Sequence, residues 1–179
     1  MASVNRFGAA FLAMFAMAAT LSAQSRATEY QVKAAYLANF SKFVEWSASV
    51  AKSEPFNICV LGQDPFGGTL DAAIAGETVG RIPIAVKRIA KPQDALDCRV
   101  LFVSSSEERH WDEILAALKT FHVLTVSDMR EFAKRGGIVQ FVLDGSRVRF
   151  EVNLVAAEPS RLKLSSELLK LAVNVRREP

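Results

Sequence analysis

The chain has 179 residues, half of them hydrophobic, with 22 Lys and Arg against 19 Asp and Glu and a formal charge of +3. That length suffices for one domain with a real core. So small a net charge gives no basis for a nucleic-acid partner, and two cysteines with two distant histidines, His110 and His122, are too few ligands for a metal site.

The chain opens with "MASVNRFGAAFLAMFAMAATLSA", residues 1–23: one cation at Arg6, an apolar stretch from Phe7 to Leu21, then small residues at Ser22, Ala23, Ser25 and Ala27. This is the three-part pattern of a secretory signal peptide, with the cut after Ala23, Ser25 or Ala27. An N-terminal anchor is the competing reading, but the stretch is short and Ala-rich against the ~20 apolar residues a bilayer span needs. Cleavage leaves a single domain over 28–175 and, with Arg6 gone, lowers the formal charge by one, to +2. In an exported protein Cys59 and Cys98, 39 positions apart, form the obvious disulfide pair. Loop closure would then contribute at most ~4 kcal/mol. A catalytic thiol would need a flanking cation or a helix start, and Cys59 has neither in sequence.

Residues 29–46, "EYQVKAAYLANFSKFVEW", place Val32, Tyr36, Phe40 and Phe43 at helical spacing, with Lys33, Ser41 and Glu45 left for other faces. Phe56–Leu61 reads as a strand and Phe66–Ala75 as a helix stopped by Gly76. Ile82–Ile89 is a strand whose Pro83 suits a sheet edge, and Arg99–Val103 is apolar enough for burial on both faces. Ser104–Ser106 caps a helix that runs to about Leu118, with Glu107 and Glu108 in its first turn. Val123–Val126 is a strand, and Ser127 caps a short helix through Lys134 that Gly136-Gly137 ends. "GIVQFVLDGSRVRFEVNL" is a hairpin around Asp144-Gly145. An amphipathic segment, Leu162–Val173, closes the domain, with Leu164, Leu168 and Leu171 on one side. The succession predicts an α/β fold: a mostly parallel sheet flanked by helices, with a C-terminal antiparallel hairpin at its edge. Two basic stretches, residues 81–91 and the final "VNVRREP", read as solvated faces.

In such sheets ligands sit beyond the carboxyl ends of the strands, which points to the loops Gly62–Gly68, Ser104–Ser106 and Ser127-Asp128. The stretch "GQDPFGG" departs from G-x-G-x-x-G, because Asp64 stands two after Gly62, and lacks the Lys-Ser/Thr of a P-loop. Pro65 reads as a helix-start residue and the Gly pair as close packing. A receiver-type site would need clustered carboxylates at the strand ends, where only Asp64 and Asp128 are so placed. A hydrolase using Ser104 or Ser105 has no G-x-S-x-G context. Candidate ligand-binding residues are therefore Gly62, Asp64, Gly67, Gly68, Ser104 and Ser105, with no catalytic set, no metal and no cofactor expected.

Taken in order, "YQVKAAYLANFSKFVEW", "FNICVLGQDPFGG", "VLFVSSSEE", "LTVSDMREFAKRGGIVQF", "RVRFEVNLVAA" and "LKLSSELLKLA" resemble the YfiR family of small periplasmic proteins, over about Tyr30 to Val173. The resemblance implies a secreted α/β domain, often dimeric, that is no enzyme. Its best-understood members restrain an inner-membrane diguanylate cyclase through that protein's periplasmic region, lowering cyclic di-GMP and biofilm growth. It also implies a Cys59–Cys98 disulfide; a second cysteine pair of some members is absent here. The expected partner is thus an inner-membrane signalling protein, with a homodimer and a small ligand as further candidates. The surface expected to meet it comprises the C-terminal segment, with Leu162, Leu164 and Leu168, and the hairpin face around Arg149 and Glu151; the equal alternative is that these leucines are core and the charges merely solvated. The rival class is a periplasmic small-ligand sensor acting on another membrane module.

Overall fold

The computed structural model describes residues 29–46 and 55–178. The predicted signal peptide and its cleavage region lie outside the described residues. A helix, α1, covers 29–43. After it come β1 (Val44–Glu45), β2 (Phe56–Leu61), α2 (Gly68–Ile74), β3 (Thr78–Val79) and β4 (Ile82–Ile89). A 3-10 segment (Pro92–Asp97) leads to β5 (Cys98–Val103), and a second (Ser105–His110) to α3 (Trp111–Leu118) and β6 (Leu124–Ser127). The hairpin is β7 (Val139–Asp144) and β8 (Arg147–Asn153), followed by α4 (Leu154–Ala157), β9 (Lys163–Leu164), α5 (Ser166–Leu171) and β10 (Asn174–Arg176).

The main sheet has the order β10-β8-β7-β6-β5-β2-β4-β3. Pairing is parallel from β4 through β2, β5 and β6 to β7, and antiparallel between β7 and β8. Numbered by sequence, the five parallel strands stand as 2-1-3-4-5, the doubly wound order in which the chain reverses direction between the first and third strands. Here that point lies between the carboxyl ends of β2 and β5.

Alternation along β2 divides the core. Ile58 and Val60 pack with Leu37 and Phe40 of α1 and with Leu70 of α2. Cys59 and Leu61 face Trp111, Ile114 and Leu118 of α3. All six residues of β2 and all six of β5 are buried, as expected of parallel strands covered on both sides. Under α1 the rings of Tyr36, Phe40, Phe141 and Phe150 meet at centroid distances of 5.3–6.0 Å. Each such ring pair adds ~0.5–1.5 kcal/mol beyond its buried area.

Several local readings change. The buried arc of α1 runs through Lys33, Ala34, Leu37, Phe40 and Ser41, while Val32 is 39% exposed. Lys33 and Ser41 are thus inside, because each finds polar partners there: Lys33 two carboxylates, and Ser41 the carbonyl of Ala38. The helix stops at 43, and Val44–Glu45 pair instead with Leu164 and Lys163 of β9. Residues 129–136 form turns, not a helix. Glu131 is left-handed at φ 56, and Ala133 bonds through its N–H to the Gln140 side chain and through its carbonyl to the Asn153 side chain. The hairpin loop is Gly145-Ser146, one residue later than expected, with Asp144 paired to Arg147 and Gly145 at φ 60. Part of the basic tail is the parallel strand β10 alongside β8, so the hairpin lies one strand in from that edge. Leu162–Val173 divides into β9 and the short helix α5.

Candidate functional site

The carboxyl ends of β2 and β5 open into a crevice of about 460 Å³ lined by Tyr30, Gln63, Asp64, Pro65, Ser104, Ser105 and Ser106. Its two loops are locked together. The Gln63 N–H donates to Ser106 Oγ at 3.0 Å, and the Ser104 N–H to the Leu61 carbonyl at 3.0 Å. Gly62 sits at φ 87, where a Cβ would come within 2.5 Å of Ser106 Oγ and Glu107 Oε1, so the turn requires glycine. Ser104 acts as an N-cap, its side chain accepting from the Ser106 N–H.

Asp64 is committed to holding its own loop. Its Oδ1 accepts from the Phe66 N–H at 2.7 Å and its Oδ2 from Arg88 Nε at 2.9 Å. Arg88, reaching from β4, also donates to the Gly67 carbonyl at 2.8 Å and to both oxygens of Asp71. Arg88 therefore belongs to a bridge and is not simply part of a solvated basic stretch. The guanidinium's hydrogen bonds hold the Asp71 carboxyl below its ordinary range, and Asp71 in turn raises the Arg88 value. Phe66 anchors the loop in the core, edge-on to Phe102 at 4.8 Å and to Tyr30 at 5.3 Å. α2 has only seven residues, and no side chain caps it.

Behind the crevice lies a buried charge cluster that sequence periodicity missed. Lys33 is 3% exposed and lies 2.6 Å from Asp128 and 2.5 Å from Glu29. The Tyr30 hydroxyl donates to the same Asp128 oxygen at 2.8 Å, and the Lys33 ammonium stands 4.3 Å from the Tyr30 ring centre. Asp128 follows β6 directly, so this cluster ties the start of α1 to the carboxyl end of the sheet. Glu29, Lys33 and Asp128 also border a second cleft of about 320 Å³ against Gln140 and Val142 of β7. The usable signal was a cation four residues after Glu29 on an otherwise apolar helix face; its partner just beyond β6 is 95 residues away.

Of the candidate ligand residues, Asp64, Ser104 and Ser105 line the crevice. Gly62 backs onto Ser106 and Glu107, whereas Gly67 and Gly68 are exposed at the start of α2. Tyr30, Gln63, Pro65 and Ser106 complete the walls, and of these Tyr30 alone lies outside the loops to which the order of elements points. Among the described residues no group of three or more His, Cys, Asp or Glu is placed to hold a metal ion. Cys59 and Cys98 form a disulfide with Cα atoms 5.8 Å apart, buried beneath α3 with Ala95.

The expected partner surface does not form as one patch. Arg149 and Glu151 are half-buried on the sheet face opposite α1, across from Val142 and Gln140. Leu162 and Leu168 are core residues, 7% and 1% exposed, because they complete the layer under α1, and so they are withdrawn from that surface. Leu164 packs at the margin of the same core, on the other side of the sheet from Arg149.

Two solved structures share the architecture. A conserved domain protein from Vibrio cholerae aligns with a TM-score of 0.51 at 13% identity, covering 67% of this chain and 54% of that one. The ABC domain from Streptococcus pneumonia, solved in complex with L-Trp, aligns at 0.50 and 12%, covering 67% and 55%. The chain thus spans about half the length of the solved chains it matches, and the likeness is one of fold. No helix among the described residues is long and apolar enough to cross a membrane. The family model described as YfiR/HmsC-like, DUF4154, matches residues 30–173, nearly the whole described region. The chain belongs to the YfiR/HmsC-like family, a family of regulatory, non-catalytic domains.

Proposed function

We propose that this protein is a non-enzymatic periplasmic regulator that binds the periplasmic part of an inner-membrane signalling protein and holds a diguanylate cyclase in its inactive state. The observation that carries the reading is the family match over residues 30–173; the buried disulfide suits an oxidising compartment. A periplasmic domain cannot touch a cytoplasmic catalytic centre, so it acts by binding one state of the partner more tightly. A tenfold preference corresponds to ~1.4 kcal/mol. The open face of the hairpin, with Arg149 and Glu151 half-exposed, is the contact surface we favour. A homodimer is the second partner in this reading, checked by sedimentation of the purified protein.

The test is intracellular cyclic di-GMP in a deletion strain, the complemented strain, and a strain complemented with the charge-reversed double variant R149E/E151R. A rise on deletion, reversed by the parent gene and not by the variant, supports cyclase restraint through this face. Reversal by both moves the contact elsewhere, and an unchanged level on deletion overturns the cyclase reading. A second reading, small-ligand sensing, is favoured by the crevice between Tyr30 and Ser104–Ser106. A ligand that raises the melting temperature of the parent and not of Ser105→Trp would support it.

A further inference from the structure

Away from the crevice, at the amino end of β7, a cavity of about 360 Å³ opens between α3, the 134–138 segment and the C-terminal α4 and β10. Its size falls in the ~300–1,000 Å³ range of small-molecule sites. The walls are apolar, built from Leu115, Leu118, Val123, Ile138, Ala156 and Pro159. The two buried polar side chains within it, Thr125 and Asn153, are already paired. Thr125 Oγ1 accepts from the Ile138 N–H at 3.1 Å, while the Asn153 side chain bonds Ala133 and Ala156. The cavity therefore asks little of a ligand's body beyond apolar contact.

The charged residues lining it are all cations: Lys119, Lys134 and Arg176, with no carboxylate among them. Lys134 shares an exposed pair with Glu131 outside the cavity, a contact of the kind worth ~0–1 kcal/mol. Arg176 donates through Nε to the Glu178 carbonyl, which leaves its other nitrogens for a ligand. Lys119, exposed just after α3, has no ion-pair partner among the described residues. Three positive groups around an apolar hollow complement one chemical class, an anion with a hydrophobic body.

We propose that this cavity binds a small amphipathic organic acid, its apolar body against Leu118 and Ile138 and its acid group among Lys119, Lys134 and Arg176. The site is separate from the crevice and from the hairpin face, and the inference does not depend on the cyclase reading.

Calorimetric titration of the full chain, expressed and processed by its host, with monomeric decanoate tests it. Decanol, which lacks the charge, and inorganic phosphate, which lacks the body, serve as comparisons. Decanoate should bind at least tenfold more tightly than either. The double variant K119E/R176E should weaken decanoate about tenfold and leave decanol unchanged, and Ala156→Trp should fill the hollow and abolish both. Equal affinity for decanoate and decanol, or full decanoate binding by the folded K119E/R176E protein, would overturn the proposal. Co-sedimentation with phosphatidylglycerol vesicles that is lost in K119E/R176E would also overturn it, by placing the anion in a lipid surface.

Discussion

Lys33 is the residue whose replacement discriminates most sharply among accounts of this fold. Its ammonium is buried, 2.6 Å from Asp128 and 2.5 Å from Glu29, on a helix face otherwise packed with Ala34, Leu37 and Phe40. Lys33→Met keeps the stem volume and removes the charge. Breaking one side of a buried pair costs ~3–5 kcal/mol, because the other charge is left desolvated. Asp128 keeps 14% side-chain exposure and the Tyr30 hydroxyl, so the expected loss is about 2–3 kcal/mol. For a protein of this size that corresponds to a fall of roughly 4–12 °C in melting temperature. Thermal unfolding of the parent, Lys33→Met, Asp128→Asn and the double variant forms a complete cycle. The two changes should be non-additive by more than ~1 kcal/mol, since each removes the same contact. A Lys33→Met protein that melts with the parent, together with additive effects, would mean that the ammonium reaches water and that the cluster does not hold α1 to the sheet.

Three further outcomes are expected. Replacing Cys59 and Cys98 together by Ala should lower stability by ~2–4 kcal/mol at a loop of 39 residues, and with both sulfurs buried the native protein should resist dithiothreitol until urea is added; rapid native-state reduction would refute the burial. Arg88→Ala should cost about 1 kcal/mol at pH 7, a modest figure because the Asp71 side chain is 52% exposed. Asp71 titrates below its ordinary 3.8 in the folded state, so this stabilisation is present above that value and disappears as pH falls through the lowered one. The gap between parent and variant in urea unfolding should therefore narrow as pH falls below 3.8, and a constant gap would exclude the link. Gly137→Ala drives a Cβ into the ring of Phe132, which is 1% exposed and has no room to yield. A loss toward the top of the ~1–3 kcal/mol overpacking range is expected in chemical denaturation, and an unchanged midpoint would contradict that packing.

The sheet was legible wherever a strand's pattern is settled by local chemistry. Phe56–Leu61 and Arg99–Val103 are continuous apolar runs, and such runs are what a parallel strand covered on both faces requires. The period-2 alternation of Val148, Phe150 and Val152 against Arg147, Arg149 and Glu151 announced a strand with one buried face. The loops at the carboxyl ends of β2 and β5 followed from that order of elements, and Asp64, Ser104 and Ser105 do share one crevice.

What failed to show in the sequence depends on partners distant along the chain. A lysine reads as surface until the Asp128 that neutralises it is brought beside it from the end of β6. Asp64 resembles a loop residue free for ligand until Arg88 arrives from β4. Leu162 and Leu168 form an amphipathic stripe whose apolar side could serve a partner or the protein's own core, and periodicity is the same in both cases. Only their burial in the core shared with Leu37 and Phe40 of α1 decides for the core. The short run from Ser127 to Lys134 has helix-compatible residues, yet the side chains of Gln140 and Asn153 take the backbone groups of Ala133 and leave it as turns. Local sequence determined the strands and their faces, because propensity and periodicity act over a few residues. Tertiary structure decided which charges are inside and which hydrophobes are hidden, because desolvation is settled by neighbours that the chain brings together only on folding.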